Sequence, residues 1–202
     1  MLQYKNFVIH STDEIPDTIT NDIDLAIDLL SKSPIYNDKF TYEIYVSNST
    51  LPYILIGPDF SSGSFARTSI FNKISIRRCN FESHTCYSNS KIYNERPFSA
   101  LIAHEVTHLN MRQSIGFLKE FLLDRWIKEG LADYVAGSSS YTNGDALKLY
   151  MSNAKSDSKS FDYYVYRMAV KYAIEKKGLS FQQLMMQHYE IDSLRDEERK
   201  GL

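Results

Sequence analysis

Two histidines four positions apart, His104 and His108, bracket Glu105 in the stretch ALIAHEVTHLN at residues 100–110. On an α-helix, positions i and i+4 lie one turn apart on one face, so both imidazoles can reach a single metal ion. Glu105 projects to the same side, where a carboxylate can take a proton from water held by that metal. On a helical wheel His104, Glu105 and His108 share an arc with Leu101, and Ile102, Val106 and Leu109 share the opposite arc. One face then packs while the other presents ligands to a cleft. Catalytic zinc needs a third protein ligand, with a fourth position left for water. A third histidine ten positions after the first would serve, but Ser114 stands there.

Carboxylates are on offer instead in LLDRWIKEGLADYVAG, residues 122–137, where Glu129 follows His108 by 21 positions and Asp133 follows Glu129 by four. On that wheel Trp126, Glu129 and Asp133 form one face, and Ile127, Leu131 and Tyr134 the other. A Glu129 carboxylate arriving on an antiparallel helix completes a two-histidine, one-glutamate set. Asp133, one turn on, is placed to accept the free N–H of a ligand histidine and hold its tautomer. Gly130 removes a side chain beside the ligand and lets the two ligand-bearing helices approach closely.

HEVTH followed by WIKEGLADY resembles the gluzincin branch of zinc metallopeptidases, to which thermolysin and the single-domain minigluzincins belong. The similarity covers about residues 63–178. It implies a bound Zn2+ with His104, His108 and Glu129 as ligands, Glu105 as general base, and Asp133 behind His104. It also implies hydrolysis of a peptide or protein substrate. The chain lacks thermolysin's large C-terminal subdomain, so the oxyanion-stabilising side chains of that region do not carry over. Related single-domain sequences have a tyrosine where Tyr163 opens SFDYYVYRMAVKYAIEKKG, and a phenol there can donate to a developing oxyanion. The residues themselves favour a plainer role for Tyr163, Tyr164 and Tyr166, as half-buried packing groups. Ser64, Phe65, Ala66 and Arg67 match the place of the edge strand that pairs with extended substrate in gluzincins. The competing expectation is a zinc-bearing regulatory or binding module of the same fold that hydrolyses little. Glu105 speaks against it, because a purely structural site has no use for a base beside an open position.

Elements must position these groups. Ile19, Ile23, Ala26, Ile27 and Leu30 fall at helical spacing in PDTITNDIDLAIDLLSKS. FTYEIYV alternates Phe40, Tyr42, Ile44 and Val46 on one face; YILIG, GSFARTSI and NKISIRR read as further strands, with a turn at PDFSSG. Residues 80–95 are polar and read as loop. From Pro97 onward helices are expected at about 97–113, 122–136, 144–153, 161–177 and 180–190. Strands first and helices second predict an α+β domain with a small mixed sheet over residues 1–192. The charged tail SLRDEERKGL, 193–202, is expected to fray.

A hydrophobic fraction of 43% and a charged fraction of 24% over 202 residues fit one globular, monomeric domain. The net charge of -2 gives no general electrostatic reason to bind nucleic acid or anionic membrane. No run approaches the roughly 18 apolar residues of a membrane span. MLQYKNFVIHSTDEIPD lacks a basic region followed by an apolar run, so no secretory signal is expected in this chain; a leader already removed would leave the same sequence. Cys79 and Cys86, seven apart, form no CxxC. Two separate thiols are the favoured reading, and a disulfide closing CNFESHTC is the alternative for an exported chain. His10, His84 and His188 have no partner at ligand spacing and read as surface or satisfied positions. Arg77 and Arg78 read as a solvated strand face.

Overall fold

Tyr42, Ile44 and Val46 alternate with Glu43 and Tyr45, and the strand they form buries the first set on one face. It is the central strand of a five-stranded sheet in a computed structural model that describes residues 1–48, 64–69, 72–141, 144, 146–152 and 158–200. The strands are β1 (Leu2–Tyr4), β2 (Phe7–Ser11), β3 (Tyr42–Ser47), β4 (Ala66–Thr68) and β5 (Lys73–Arg77), in the order β1-β2-β3-β5-β4. β3 is parallel to β2 and β5, while β1 and β4 pair antiparallel at the two edges. The sheet is therefore mixed, and the architecture is α+β. The expected strand YILIG and turn PDFSSG lie outside the described residues.

Helix α1 (Ile19–Leu30) connects β2 to β3, and its Ile19, Ile23, Ala26 and Leu30 are buried as the spacing requires. They meet Phe7, Ile9, Ile44, Ile74 and Ile76 of the sheet and Ile102, Val106 and Leu109 of the next helix in one core. That helix, α2 (Phe98–Ile115), starts after Pro97 in an extended conformation and stops at Gly116, whose φ of 84° belongs to the region glycine tolerates. From Phe98 to Met111 every residue except His108 is buried. The two-faced helix expected for this stretch is thus enclosed on nearly all sides, opening only where His108 emerges. The phenol of Tyr42 lies 2.7 Å from Asn110 Oδ1, and Arg112 Nη1 donates to Ser69 O at 2.7 Å, so α2 is tied to the middle and to the edge of the sheet.

The remaining helices are α3 (Phe117–Leu122), α4 (Arg125–Val135), α5 (Ala146–Met151), α6 (Lys159–Glu175), α7 (Phe181–Met186) and α8 (Ile191–Lys200). α7 begins with a capping box in which Ser180 and Gln183 satisfy each other's backbone. Of the tail expected to fray, residues 193–200 are helical: α8 buries Leu194, sets Arg195 over the Tyr150 ring at 5.5 Å, and hydrogen-bonds Glu198 to the Tyr150 hydroxyl. No helix among the described residues is long and apolar enough to cross a membrane.

Residues 80–95 are not simply loop. β6 (Cys79–Asn80), β7 (Thr85–Tyr87) and β8 (Glu95–Pro97) form a three-stranded antiparallel sheet. Strands of two or three mostly polar residues carry no readable alternation, which hid them. The same ribbon corrects the favoured reading of the cysteines: Cys79 and Cys86 face each other in register, with Cα atoms 4.1 Å apart, and are disulfide-bonded. Arg78 is exposed, but Arg77 is buried, so Arg77 is no solvated face. His84 Nδ1 lies 2.5 Å from the buried carboxylate of Asp22, His10 stacks on Tyr45, and His188 is exposed beside Glu190.

Candidate metal centre

The helical spacing of His104 and His108 brings their Nε2 atoms to 3.1 Å from each other. Glu129, on α4, reaches the same point: its Oε2 is 3.4 Å from His104 Nε2 and 3.5 Å from His108 Nε2. Among the described residues these three form the one group of histidine, cysteine or acidic side chains arranged so that it can hold a metal ion. α4 is positioned by Trp126, Ile127 and Leu131, which enter the core, and by close contact with α6. The glycine beside the ligand makes that contact. A Cβ on Gly130 would lie 2.6 Å from Tyr166 O and 2.7 Å from Val170 Cγ2, both on α6. The close approach expected between the two histidine- and glutamate-bearing helices is therefore made between α4 and α6 instead.

Behind the histidines stands a buried charged layer. Asp133 Oδ1 lies 2.7 Å from His104 Nδ1, and a carboxylate there accepts only, so in the neutral ring, the form that binds a metal, Nδ1 carries the proton and Nε2 has its lone pair toward Glu129 and His108. Arg96, on β8, donates from Nη2 to Asp133 Oδ1 at 2.7 Å and to Ser138 O at 3.0 Å. Its Nη1 also comes within 3.3 Å of His104 Nδ1, a donor facing a donor, felt by the ring as charge. Burial and the Arg96 charge both work against a second proton on His104, but Asp133 and Glu129 outweigh them and raise its pKa to about 9. Burial alone would push Glu129 up; the two histidines hold it well below the ordinary carboxylate range. Asp133 is likewise held low, against burial, by Arg96 and His104.

Glu105 is buried on α2 and is not part of the three-ligand group. The hydroxyl of Thr68, on edge strand β4, donates to its Oε2 at 2.9 Å. Tyr163, in the first turns of α6, accepts from Arg125 Nη2 at 3.0 Å, with the guanidinium 5.4 Å from its ring centre. Burial and the nearby Glu129 push the phenol up to about 12, so at neutral pH it keeps its proton. A cleft of about 690 Å³ gathers Ser64, Phe65, Ala66 and Arg67 with Thr68, the three candidate ligands His104, His108 and Glu129, and Glu105, Asp133 and Tyr163. Every candidate residue read from the sequence thus lines one cavity. Arg96 and Thr68 were not among them. Arg96 pairs with Asp133 across 37 positions, a separation at which sequence carries no signal, and Thr68 sits in a short strand with no distinguishing pattern.

Neither a protein-family profile nor a curated protein sequence matches the chain.

Proposed function

We propose that the chain is a zinc metallopeptidase of gluzincin type, hydrolysing peptide bonds in an extended peptide or protein substrate. The observation that supports this best is the triangle of His104 Nε2, His108 Nε2 and Glu129 Oε2, with sides of 3.1, 3.4 and 3.5 Å. A tetrahedral zinc with bonds of about 2.05 Å has ligand-to-ligand edges of about 3.3 Å. The three donor atoms therefore fit three corners of a zinc site, and their chemistry, two imidazoles and a carboxylate, is that of a catalytic rather than a closed structural centre. Cysteine ligands do not enter, since both cysteines are consumed in the disulfide.

When bound, zinc supplies Lewis acidity, polarising a carbonyl oxygen and making water a stronger acid. Glu105 takes a proton from the attacking water as its oxygen bonds to the carbonyl carbon, then delivers it to the amine nitrogen as the C–N bond breaks. Thr68, donating to Oε2, fixes the orientation in which that carboxylate works. Tyr163 keeps its proton for an oxyanion acceptor, because Arg125 occupies the phenol oxygen as a donor. Asp133 and Arg96 hold His104 in the tautomer that presents a lone pair at Nε2. Among the described residues β4 is the last strand of its sheet, and its outer edge offers main-chain pairing to an extended substrate.

The test joins metal analysis to a digest of a peptide library with wild type and Glu105→Gln. Wild type is expected to hold one zinc per chain and to cleave. Glu105→Gln should keep the zinc and lose at least about 100-fold in rate, the lower end of general-base contributions. A wild type that takes up no zinc after incubation with the metal would sink the proposal, and so would equal cleavage by the variant.

A further inference from the structure

Among the described residues the lining of the cleft carries a charge opposite to that of the chain. Six are cations, Arg67, Arg96, Arg112, Arg125, Lys128 and Lys159, against four carboxylates, Glu105, Glu120, Glu129 and Asp133, while the whole chain is at -2. The carboxylates are engaged: Asp133 by Arg96 and His104, Glu120 by Arg112 at 3.4 Å, Glu129 by the two histidines, and Glu105 by Thr68. Three of the cations are differently placed. Arg125 and Lys128 sit one helical turn apart on α4, and Lys159 opens α6. Among the described residues none of the three forms an ion pair. Arg125 meets the neutral phenol of Tyr163, Lys128 Nζ approaches Phe121 O at 3.4 Å, and Lys159 is exposed. Of the described acidic residues beside them in sequence, Asp124 lies 3.8 Å from His188, and Asp162, exposed in the first turn of α6, does not line the cleft.

We propose that the substrate is an acidic peptide, and that Arg125, Lys128 and Lys159 form a cationic wall for its carboxylates while its backbone runs along β4. This rests on the peptidase reading and narrows it to a substrate class. A cavity bearing surplus charge of one sign concentrates ligands of the other and rejects like-charged ones, which gives specificity before it gives affinity. Two cations a turn apart on α4 and a third at the start of α6 spread over more than one residue of an extended chain, so side-chain carboxylates rather than a single terminal one are matched.

The test is a binding measurement by fluorescence anisotropy on zinc-loaded Glu105→Gln protein, which removes turnover from the readout. The probes are fluorescein-labelled, C-terminally amidated peptides identical except for Glu at alternate positions in one and Gln in the other. A third probe is the Gln peptide with a free C-terminus. At low ionic strength the Glu peptide is expected to bind about tenfold more tightly than its Gln counterpart, the sum of several weak exposed pairs. That gap should shrink as salt is raised. Adding Lys128→Glu with Lys159→Glu should abolish or invert the preference, and the milder Lys128→Gln with Lys159→Gln should give an intermediate value. Equal binding of the Glu and Gln peptides, no binding of either, or a preference that survives the double charge reversal would each overturn the proposal. A gain confined to the free C-terminus would overturn it too, by pointing to terminal-carboxylate recognition. Acid preference in binding without cleavage by wild type would sink the peptidase reading and leave this one standing. Cleavage of both peptides at one rate, with equal binding, would do the reverse.

Discussion

Adding one methyl group at Gly130 is expected to loosen the metal centre from a position that touches no ligand atom. The new Cβ would stand 2.6 Å from Tyr166 O, 2.7 Å from Val170 Cγ2 and 3.0 Å from the Tyr166 carbonyl carbon. Carbon atoms in ordinary contact are about 3.5–4.0 Å apart, so relief takes roughly 1 Å. Neither neighbour yields easily. The oxygen is helix backbone, and a valine in a helix keeps essentially one χ1 rotamer. α4 and α6 must therefore separate locally, and a gap of that size forfeits a quarter to a half of the dispersion attraction along the seam. Overpacking of this kind costs about 1–3 kcal/mol, and with two close overlaps the upper end applies. Alanine returns about 1 kcal/mol through its helix propensity, leaving a net loss of about 2 kcal/mol. For a chain of this size that is a fall of about 4–8 °C in Tm. Glu129 is the preceding residue, so the same displacement shifts its carboxylate relative to imidazoles that it now meets at 3.4 and 3.5 Å. Zinc affinity should drop at least about tenfold, a misfit of about 1.4 kcal/mol. Urea unfolding of metal-depleted protein and a competition titration with a chromophoric chelator measure the two effects separately. Gly130→Ala as stable as wild type, with unchanged zinc affinity, would refute the packing argument.

Asp133→Ala should weaken zinc binding about 10–100-fold and destabilise the fold, because Arg96 is then a buried charge facing only a carbonyl and an imidazole; a competition titration matching wild type would remove Asp133 from the account. Thr68→Val, nearly isosteric, should leave zinc content unchanged and lower kcat about tenfold with little change in KM, since only the orientation of Glu105 is lost; an unaltered kcat refutes the positioning role. The carboxyl of Asp22 is raised above its ordinary 3.8 by burial, against the hydrogen bond from His84. A raised acid favours the folded state only while protonated, so its contribution is present below pH 3.8 and is lost as pH rises through the folded value. Urea midpoints should therefore show wild type losing stability relative to Asp22→Asn on going from about pH 4 to pH 7, and parallel profiles would contradict this.

What could be read from the sequence was what repeats at short range. His104 and His108 meet because i and i+4 meet on any helix, and Asp133 trails Glu129 by the same interval. Tyr42, Ile44 and Val46 advertise their strand by alternation, and α1 its buried face by its isoleucines. What could not be read depends on partners far along the chain. Arg96 is one basic residue in a polar stretch until Asp133 folds against it. Arg77 looks solvated until β5 is enclosed between β3 and β4. Gly130 carried half a message: the missing side chain signals a close approach, and only the fold reveals that the neighbour is α6. In the tail 193–202 the run RDEERK dominates the reading and hides the role of Leu194, which is buried in the core.

The ribbon joining the cysteines to Arg96 bears on how the protein is handled at the bench. Cys86 sits opposite Arg96 in the β7–β8 register, and Cys79 clamps the other side of β7, so the strand that delivers the guanidinium to Asp133 is stapled one rung away. A loop this short is worth about 2–3 kcal/mol to the folded chain on the chain-entropy account. Dithiothreitol in a purification buffer would then act twice, opening the staple and, as a soft chelator, competing for zinc. Loss of the proposed activity in such a buffer would have two separable origins. A non-chelating phosphine reductant, followed by metal replenishment, tells them apart, and a preparation kept oxidised throughout is the sound reference for both.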